Sequence, residues 1–212
     1  MRIEKDFKFD LKEFCIPSHY KNDVDYVMIP HGLVQDRIEK LAEQIVNETS
    51  EGELVACCIL KGGHLFFSDL MNAIKQKRRI VNTKLEQVRL QLEFIRVKSY
   101  QNSESTGKVI IQGCDFSGLK GKNVLIVEDI VDTGRTMKEV LKAIEPFEPN
   151  SLKVVTLLVK RTPLSNGYMP DYFGFTIPDV FCVGYFFDYN DYFRDLDHIC
   201  AINEAGKLKY KQ

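Results

Sequence analysis

Apolar runs that stop abruptly at charged residues constrain this chain more than any other feature. Leu54–Leu60 (LVACCIL) stops at Lys61-Gly62-Gly63, and Asn123–Val127 (NVLIV) stops at Glu128-Asp129. Val154–Val159 stops at Lys160-Arg161, and Val180–Phe187 stops at Asp188. A strand covered on both faces reads as a continuous apolar run, the pattern of a parallel sheet between two layers. Helical spacing fills the intervals. Leu33, Ile38, Leu41, Ala42 and Ile45 precede the first run, and Phe66, Leu70 and Ile74 follow it. Val140, Leu141 and Ile144 follow the second and must stop before Pro146 and Pro149. Val88, Leu90, Leu92 and Phe94 alternate with Arg89, Gln91 and Glu93, which predicts a half-buried strand. The whole predicts an α/β fold, a largely parallel twisted sheet flanked by helices, with 1–212 as one domain. Ligands of such sheets gather beyond the carboxyl ends of the strands. Lys61, Asp129, Lys160 and Asp188 all fall there.

Composition removes other classes. The 212 residues carry 29 Lys and Arg against 30 Asp and Glu, a net charge of −1, so no global attraction to nucleic acid or anionic lipid exists. The compact basic run KQKRR (Lys75–Arg79) reads as a solvated helix end. LVACCIL is far too short to span a bilayer, and MRIEKDFKFDLKEF has no apolar leader core. A cytoplasmic protein without membrane or nucleic-acid partners is expected. Cys15, Cys57, Cys58, Cys114, Cys182 and Cys200 contain no CxxC pair, so buried reduced thiols are expected rather than a zinc site or disulfide framework. Ser99–Gly107 (SYQNSESTG) reads as a polar loop.

The chemistry concentrates in VLIVEDIVDTGRT. Backbone N–H groups from Asp132 to Thr136 would meet the unsatisfied start of a helix, where the dipole favours an anion. Thr133 and Thr136 can add hydroxyl donors, and Gly134 permits close approach of a phosphate. Glu128 and Asp129 would repel a phosphate, but suit sugar hydroxyls or the waters of a bound Mg²⁺. A phosphate cradle beside a diol or metal site describes a phosphorylated ribose. No GxGxxG or GxxxxGK[ST] is present, so neither a dinucleotide fingerprint nor a P-loop competes. Taken alone, the same residues could form an ordinary helix-capping turn.

The rest of the chain decides between these readings. FCIPSHY, IPHGL, ILKGG, FIRVKSYQNSESTG, KNVLIVEDIVDTGRTM, LLVKRTP and VGYFFDYNDYFRDL occur in order. Together they resemble the type I phosphoribosyltransferases, specifically the branch that acts on 6-oxopurines. The resemblance implies transfer of phosphoribose from phosphoribosyl pyrophosphate (PRPP) to hypoxanthine or guanine, with xanthine a further candidate base. It implies Mg²⁺ as cofactor, a homodimer or homotetramer, and a small hood built from the N- and C-terminal segments. It makes Asp132 the catalytic base at purine N7. Glu128, Asp129, Asp132, Thr133, Gly134, Arg135, Thr136, Lys61, Gly62 and Arg194 would bind PRPP and its phosphates, with Lys61 and Gly62 in a loop whose peptide bond is cis in many members. Lys160, Phe181, Cys182 and Asp188 would bind the purine, Glu128, Asp129 and Asp188 the metal, and Ser99 and Tyr100 would lie on the loop that closes over the site. Two departures stand out. Phe186 and Phe187 replace smaller aliphatic groups common in relatives, and Phe187 is expected to retune the preference among the oxopurines. Cys182, aliphatic in many relatives, is expected to make activity sensitive to oxidants.

Overall fold

The computed structural model describes residues 1–49, 53–80, 89–99, 109–113 and 115–212. Tyr100, Cys114 and all of the polar loop after Ser99 therefore lie outside the described residues. The main sheet contains β2 (Glu53–Leu60), β3 (Arg89–Ser99), β4 (Val109–Gln112), β5 (Asn123–Val131), β6 (Ser151–Arg161) and β7 (Tyr172–Pro178). Its strand order is β4-β3-β2-β5-β6-β7; every pairing is parallel except that of β3 with β4. Helices α1 (His31–Glu48) and α2 (His64–Ile80) cover one face, and α3 (Arg135–Ile144) covers the other.

The continuous apolar runs are explained by this sandwiching. Along β2, Leu54, Ala56 and Cys58 pack toward Ile38, Leu41, Phe66 and Leu70 of the helix pair. Val55, Cys57 and Ile59 pack toward Met137, Val140 and Ile144 on the other side. Successive side chains of a strand point to opposite faces, so a strand with two dry faces must be apolar at every position. Cys57, Cys58, Cys182 and Cys200 are buried thiols as expected, whereas Cys15 is exposed.

A second sheet sits above the carboxyl ends of the first and forms the hood. It is antiparallel, with β1 (Val24–Ile29) next to β9 (Ile199–Ile202) and β9 next to β8 (Cys182–Val183); α4 (Glu204–Lys209) follows. Ile16, Tyr20, Val27, Val183, Phe193 and Leu196 fill its core. Buried Asp23 accepts from Lys209 Nζ at 2.7 Å and from the Tyr210 hydroxyl at 2.9 Å, which ties the end of α4 back to the start of β1.

Two strand expectations need correction. Val180–Phe187 is not a strand of the main sheet: only Cys182–Val183 is extended, and it belongs to the hood. Beyond it Gly184, Tyr185 and Phe186 turn with φ of 89°, 49° and 74°. A short apolar run cannot distinguish a buried strand from a buried turn whose rings fill a core. The sixth strand is instead Tyr172–Pro178, whose glycine and proline hide it. Gly174 is required there because a Cβ would lie 2.6 Å from the Leu157 carbonyl oxygen. The edge of β7 is covered: Ile3 N–H and Thr176 N–H exchange bonds with Thr176 O and Met1 O, each at 2.8 Å, and Arg37 donates to the Phe173 and Gly174 carbonyls. The alternation lands on β3 from Arg89 onward, Val88 lying outside the described residues, but Leu92 and Phe94 remain 40% and 42% exposed, with Phe94 beside Phe67.

The hood meets α1 through His198. Pro30 offers no capping side chain at that helix start, and the His31 N–H donates to His198 Nδ1 at 3.0 Å. That bond requires the neutral ring. Burial, helped by His31, holds the His198 pKa below its ordinary 6.5. Between those two values the unfolded chain binds a proton that the folded chain refuses, so stability is intact above about pH 6.5 and falls with acidification through that window. His198→Asn keeps a short acceptor and removes the titration. Its Tm should therefore be flatter than wild type between about pH 7 and pH 5; parallel Tm curves would contradict this assignment.

Candidate active site

β5 carries its acidic pair to the carboxyl edge of the sheet and runs on to Val131, past the end of its apolar run. Glu128 is buried and Asp129 half-buried. Glu128 Oε1 accepts the Asp129 N–H at 3.1 Å, and Asp129 Oδ1 accepts the Ile130 N–H at 2.7 Å. Removal from water pushes both carboxyl groups above their ordinary range; Asp129 adds to the effect on Glu128, and Asp188 to that on Asp129. Two adjacent carboxylates in this position are completed chemically by a cation or by hydroxyl donors.

The β2–α2 loop closes against this pair. The Leu60–Lys61 peptide is cis. A Cβ on Gly62 would collide with the Asp129 carboxyl group, and one on Gly63 would lie 2.7 Å from the Ile59 carbonyl oxygen. Glycine at 62 is thus a geometric condition for the acid to occupy its place.

After β5 the chain turns through Asp132, Thr133 and Gly134, and α3 starts at Arg135. Gly134 has φ 79° and gives the helix no side-chain cap, while the Arg135 N–H reaches Thr133 Oγ1 only at 3.4 Å. The first-turn N–H groups therefore point outward, as an anion requires. Thr133 is half-buried, whereas Arg135 and Thr136 are exposed. The turn is braced from behind by Asn166, whose N–H donates to the Thr133 carbonyl at 2.9 Å and whose Oδ1 accepts the Tyr168 N–H at 3.0 Å. Sequence reasoning missed Asn166; the Ser-Asn-Gly turn at 165–167 was its one local signal.

A cleft of ≈ 200 Å³ opens beside the turn, lined by Asp129, Asp132, Lys160, Phe181, Cys182, Phe187 and Asp188 among others. Lys160 reaches in from the end of β6 and places Nζ 2.9 Å from Asp132 Oδ2. Phe181 stands at the mouth with its edge toward Tyr189, ring centroids 5.3 Å apart. Cys182 is buried, its thiol 3.7 Å from the Val180 carbonyl, and burial pushes its pKa up to about 12. The reactive thiolate is suppressed there, so the oxidant sensitivity expected at Cys182 is not supported.

A second, more open cleft of ≈ 510 Å³ is lined by Leu60, Lys61, His64, Arg96, Phe186, Asp191 and Arg194. Arg194 pairs with Asp188 at 2.8 Å and Asp191 at 3.0 Å, and donates to the Phe186 carbonyl at 2.8 Å. Sequence reading named Lys61 and Arg194 but not His64, Arg96 or Asp191. Asp188 sits in a turn between hood strands, not at a strand end of the main sheet; one oxygen meets Arg194 and the other accepts the Asp191 N–H at 2.8 Å. Among the described residues no three His, Cys, Asp or Glu side chains form a metal cage, so Glu128, Asp129 and Asp188 do not converge as a preformed one. Ser99 ends β3, and Tyr100 lies outside the described residues.

An uncapped helix start, an acidic pair and a cleft of ≈ 200 Å³ meet at the carboxyl edge of the sheet, where folds of this class take their ligands. The phosphoribosyl transferase domain family matches residues 30–190, and the chain belongs to that family. The hypoxanthine-guanine phosphoribosyltransferases of Homo sapiens and Mus musculus are each 52% identical to it over 204 residues, 96% of this chain and 92% of theirs. The crystal structure of hypoxanthine-guanine phosphoribosyltransferase from Schistosoma mansoni in complex with IMP matches with a TM-score of 0.82 at 37% identity, covering 99% of this chain and 97% of that one.

The Gly62 contact yields a test. Gly62→Ala should fold, because the clash falls on a side chain, but it should displace Asp129 and lower kcat/KM for PRPP by about 10²-fold. Wild-type kinetics in that variant would show that Asp129 need not hold its observed position.

Proposed function

We propose that this chain is a purine salvage enzyme that transfers the 5-phosphoribosyl group of PRPP to a 6-oxopurine, hypoxanthine or guanine, giving IMP or GMP and pyrophosphate. One observation carries the base assignment: Asp132 Oδ2 and Lys160 Nζ stand 2.9 Å apart at the cleft. They offer an acceptor and a donor side by side. A free 6-oxopurine presents O6 as acceptor and, in one tautomer, N7–H as donor on a single edge. The ion pair is then exchanged for two charge-assisted hydrogen bonds. Adenine would set an amino group against the ammonium, donor against donor.

The chemistry follows from that placement. The N9 lone pair forms the bond to C1′ as the bond from C1′ to the pyrophosphate oxygen breaks. The imidazole ring becomes cationic, and its N7 proton passes to Asp132. The first-turn N–H groups of α3, with Thr133, Gly134, Arg135 and Thr136, hold the 5′-phosphate. Glu128 and Asp129 orient the ribose hydroxyls. Lys61, Gly62 and Arg194 receive pyrophosphate, and Phe181 covers one face of the base. Cys182 contributes its backbone beside the ring. Ser99 and Tyr100 are assigned to the closing loop by resemblance, and such closure would keep water from the electron-poor ribose.

The carboxylates of Glu128, Asp129 and Asp188 are hard oxygen donors, and Mg²⁺ is commonly held by one or two such groups with substrate oxygens supplying the rest. Glu128 and Asp129 lie side by side, buried and half-buried, an arrangement that a cation would complete. When bound, Mg²⁺ would offset the charge of the departing pyrophosphate. The exposed Leu92 and Phe94, the latter against Phe67, favour burial against a second copy, in a homodimer or homotetramer.

Nucleotide formation from PRPP, Mg²⁺ and each base tests the reading. Hypoxanthine and guanine should react, with kcat/KM for adenine about 10⁴-fold lower. Asp132→Asn should lower kcat by about 10²–10⁴-fold with a much smaller effect on PRPP binding; equal losses in both would remove its role as base. Phe187 is 6% exposed and lines the base cleft. Phe187→Leu should therefore change the ratio of kcat/KM among hypoxanthine, guanine and xanthine, and an unchanged ratio would refute its role in selection.

A further inference from the structure

We infer that Asp191 is a resident counter-charge of the pyrophosphate subsite, holding its two cations between turnovers and hastening pyrophosphate release. The inference rests on the phosphoribosyl-transfer reading above and deepens it.

Among the described residues lining the open cleft, Asp191 is the one acid, set among Lys61, His64, Arg96 and Arg194. Its Oδ1 lies 3.2 Å from Lys61 Nζ and 3.0 Å from Arg194 NH2, so one oxygen bridges cations from two separate elements. Lys61 comes from the β2–α2 loop and Arg194 from the segment between β8 and β9. The carboxylate is aimed by a built turn. Asn190 and Asp191 both adopt left-handed backbone, φ 53° and 66°, which residues of this type tolerate best. The Asp191 N–H is fixed to Asp188 Oδ2 at 2.8 Å, and Asn190 Nδ2 to the Tyr210 carbonyl at 2.8 Å.

A carboxylate in a cleft that receives a polyanion opposes binding, so its placement calls for a role that offsets the cost. Two effects follow from the geometry. Without anion, Asp191 keeps Lys61 aimed into the cleft and shares Arg194 with Asp188 and the Phe186 carbonyl. With pyrophosphate bound, Asp191 is displaced and repels it, then re-pairs with both cations as the product leaves. The Lys61–Asp191 pair is exposed, its side chains at 64% and 65%, and an exposed pair is weak enough for a polyanion to break. Arg194 is 19% exposed, but its Asp191 partner faces water and can be displaced. Asp191 and pyrophosphate thus compete for the same two cations, and the competition favours departure of the anion.

Calorimetric titration of Mg²⁺-pyrophosphate into wild type, Asp191→Asn and Asp191→Gly tests the inference, alongside Tm and kcat for each. Asn and Gly both accommodate the left-handed turn, so at least one variant is expected to retain the backbone. Removal of the carboxylate should tighten pyrophosphate binding about tenfold, equivalent to ~1.4 kcal/mol, and lower KM for PRPP. A merely structural Asp191 would give weaker binding on removal. Unchanged or weaker pyrophosphate binding in variants with near wild-type Tm overturns the inference while leaving the transferase reading intact. If wild type itself forms no nucleotide and binds no pyrophosphate, the transferase reading fails and takes this inference with it.

Discussion

The parallel pairing of β2 with β5 sets the distances on which the rest of the site depends. The register runs from Leu54 opposite Asn123 to Cys58 opposite Val127. The next residues of both strands therefore emerge together: Leu60-Lys61-Gly62 on one side, Glu128-Asp129 on the other. Gly62 then leaves the space that the Asp129 carboxyl group fills. Shifting one strand by a residue would exchange its two buried faces, so the dry core on each side locks the register far more firmly than the site could by itself. Precision at the edge of the sheet is inherited from packing in its middle.

The charges at that edge are organised in two ways. Lys160 with Asp132, and Arg194 with Asp188 and Asp191, are paired cation to anion. The Asp132 and Asp191 carboxylates face water, whereas the Lys160 and Arg194 side chains are only 11% and 19% exposed. Each cation thus keeps a water-facing partner that an incoming ligand can replace with charge-assisted hydrogen bonds of its own. Glu128 and Asp129 are the opposite case, two acids withdrawn from water beside each other, with pKa values raised by that withdrawal. Backbone N–H groups of Asp129 and Ile130 donate to them, and a cation or a diol would complete their remaining bonds. The edge thus combines ion pairs that a ligand can exchange, at Lys160 and Arg194, with an acidic pair at Glu128 and Asp129 that a ligand can complete.

What was legible in the sequence follows the same physics. β2, β5 and β6 were readable because strands with two buried faces are apolar throughout, and Lys61, Asp129 and Lys160 were readable because polarity returns where the layers end. β7 was hidden by Gly174 and Pro178, which serve close approach to Leu157 and the strand end. The hood strands are short, and their partners lie far apart in sequence: Val24 pairs with Ile202. Such pairings leave no local periodicity. Asp132 and Arg194 could be placed from ordered motifs, whereas Asn166, Arg96 and Asp191 act through position in space. Asn166 holds a turn more than thirty residues away, and Asp191 gains meaning only when Lys61 folds beside it.

The hood and the helix layer are coupled through Tyr185, and this coupling fixes the shape of the base cleft. The Tyr185 hydroxyl donates to Asp69 Oδ2 on α2 at 2.6 Å, and Gln35 on α1 donates to the same oxygen at 2.8 Å. The Tyr185 N–H bonds to the Leu196 carbonyl at 2.6 Å, and Gly184 turns where a Cβ would strike the His198 carbonyl. The next residue, Phe186, is left-handed, which costs an L-residue roughly 1–2 kcal/mol. Its carbonyl accepts from Arg194 and its ring lies 5.0 Å from that guanidinium, contacts that offset the cost. Phe187 is thereby pinned between an anchored tyrosine and a clamped backbone. Its ring is set by side chains on α1 and α2 as much as by its own neighbours, so the wall of the cleft is shaped partly by helices outside its described lining.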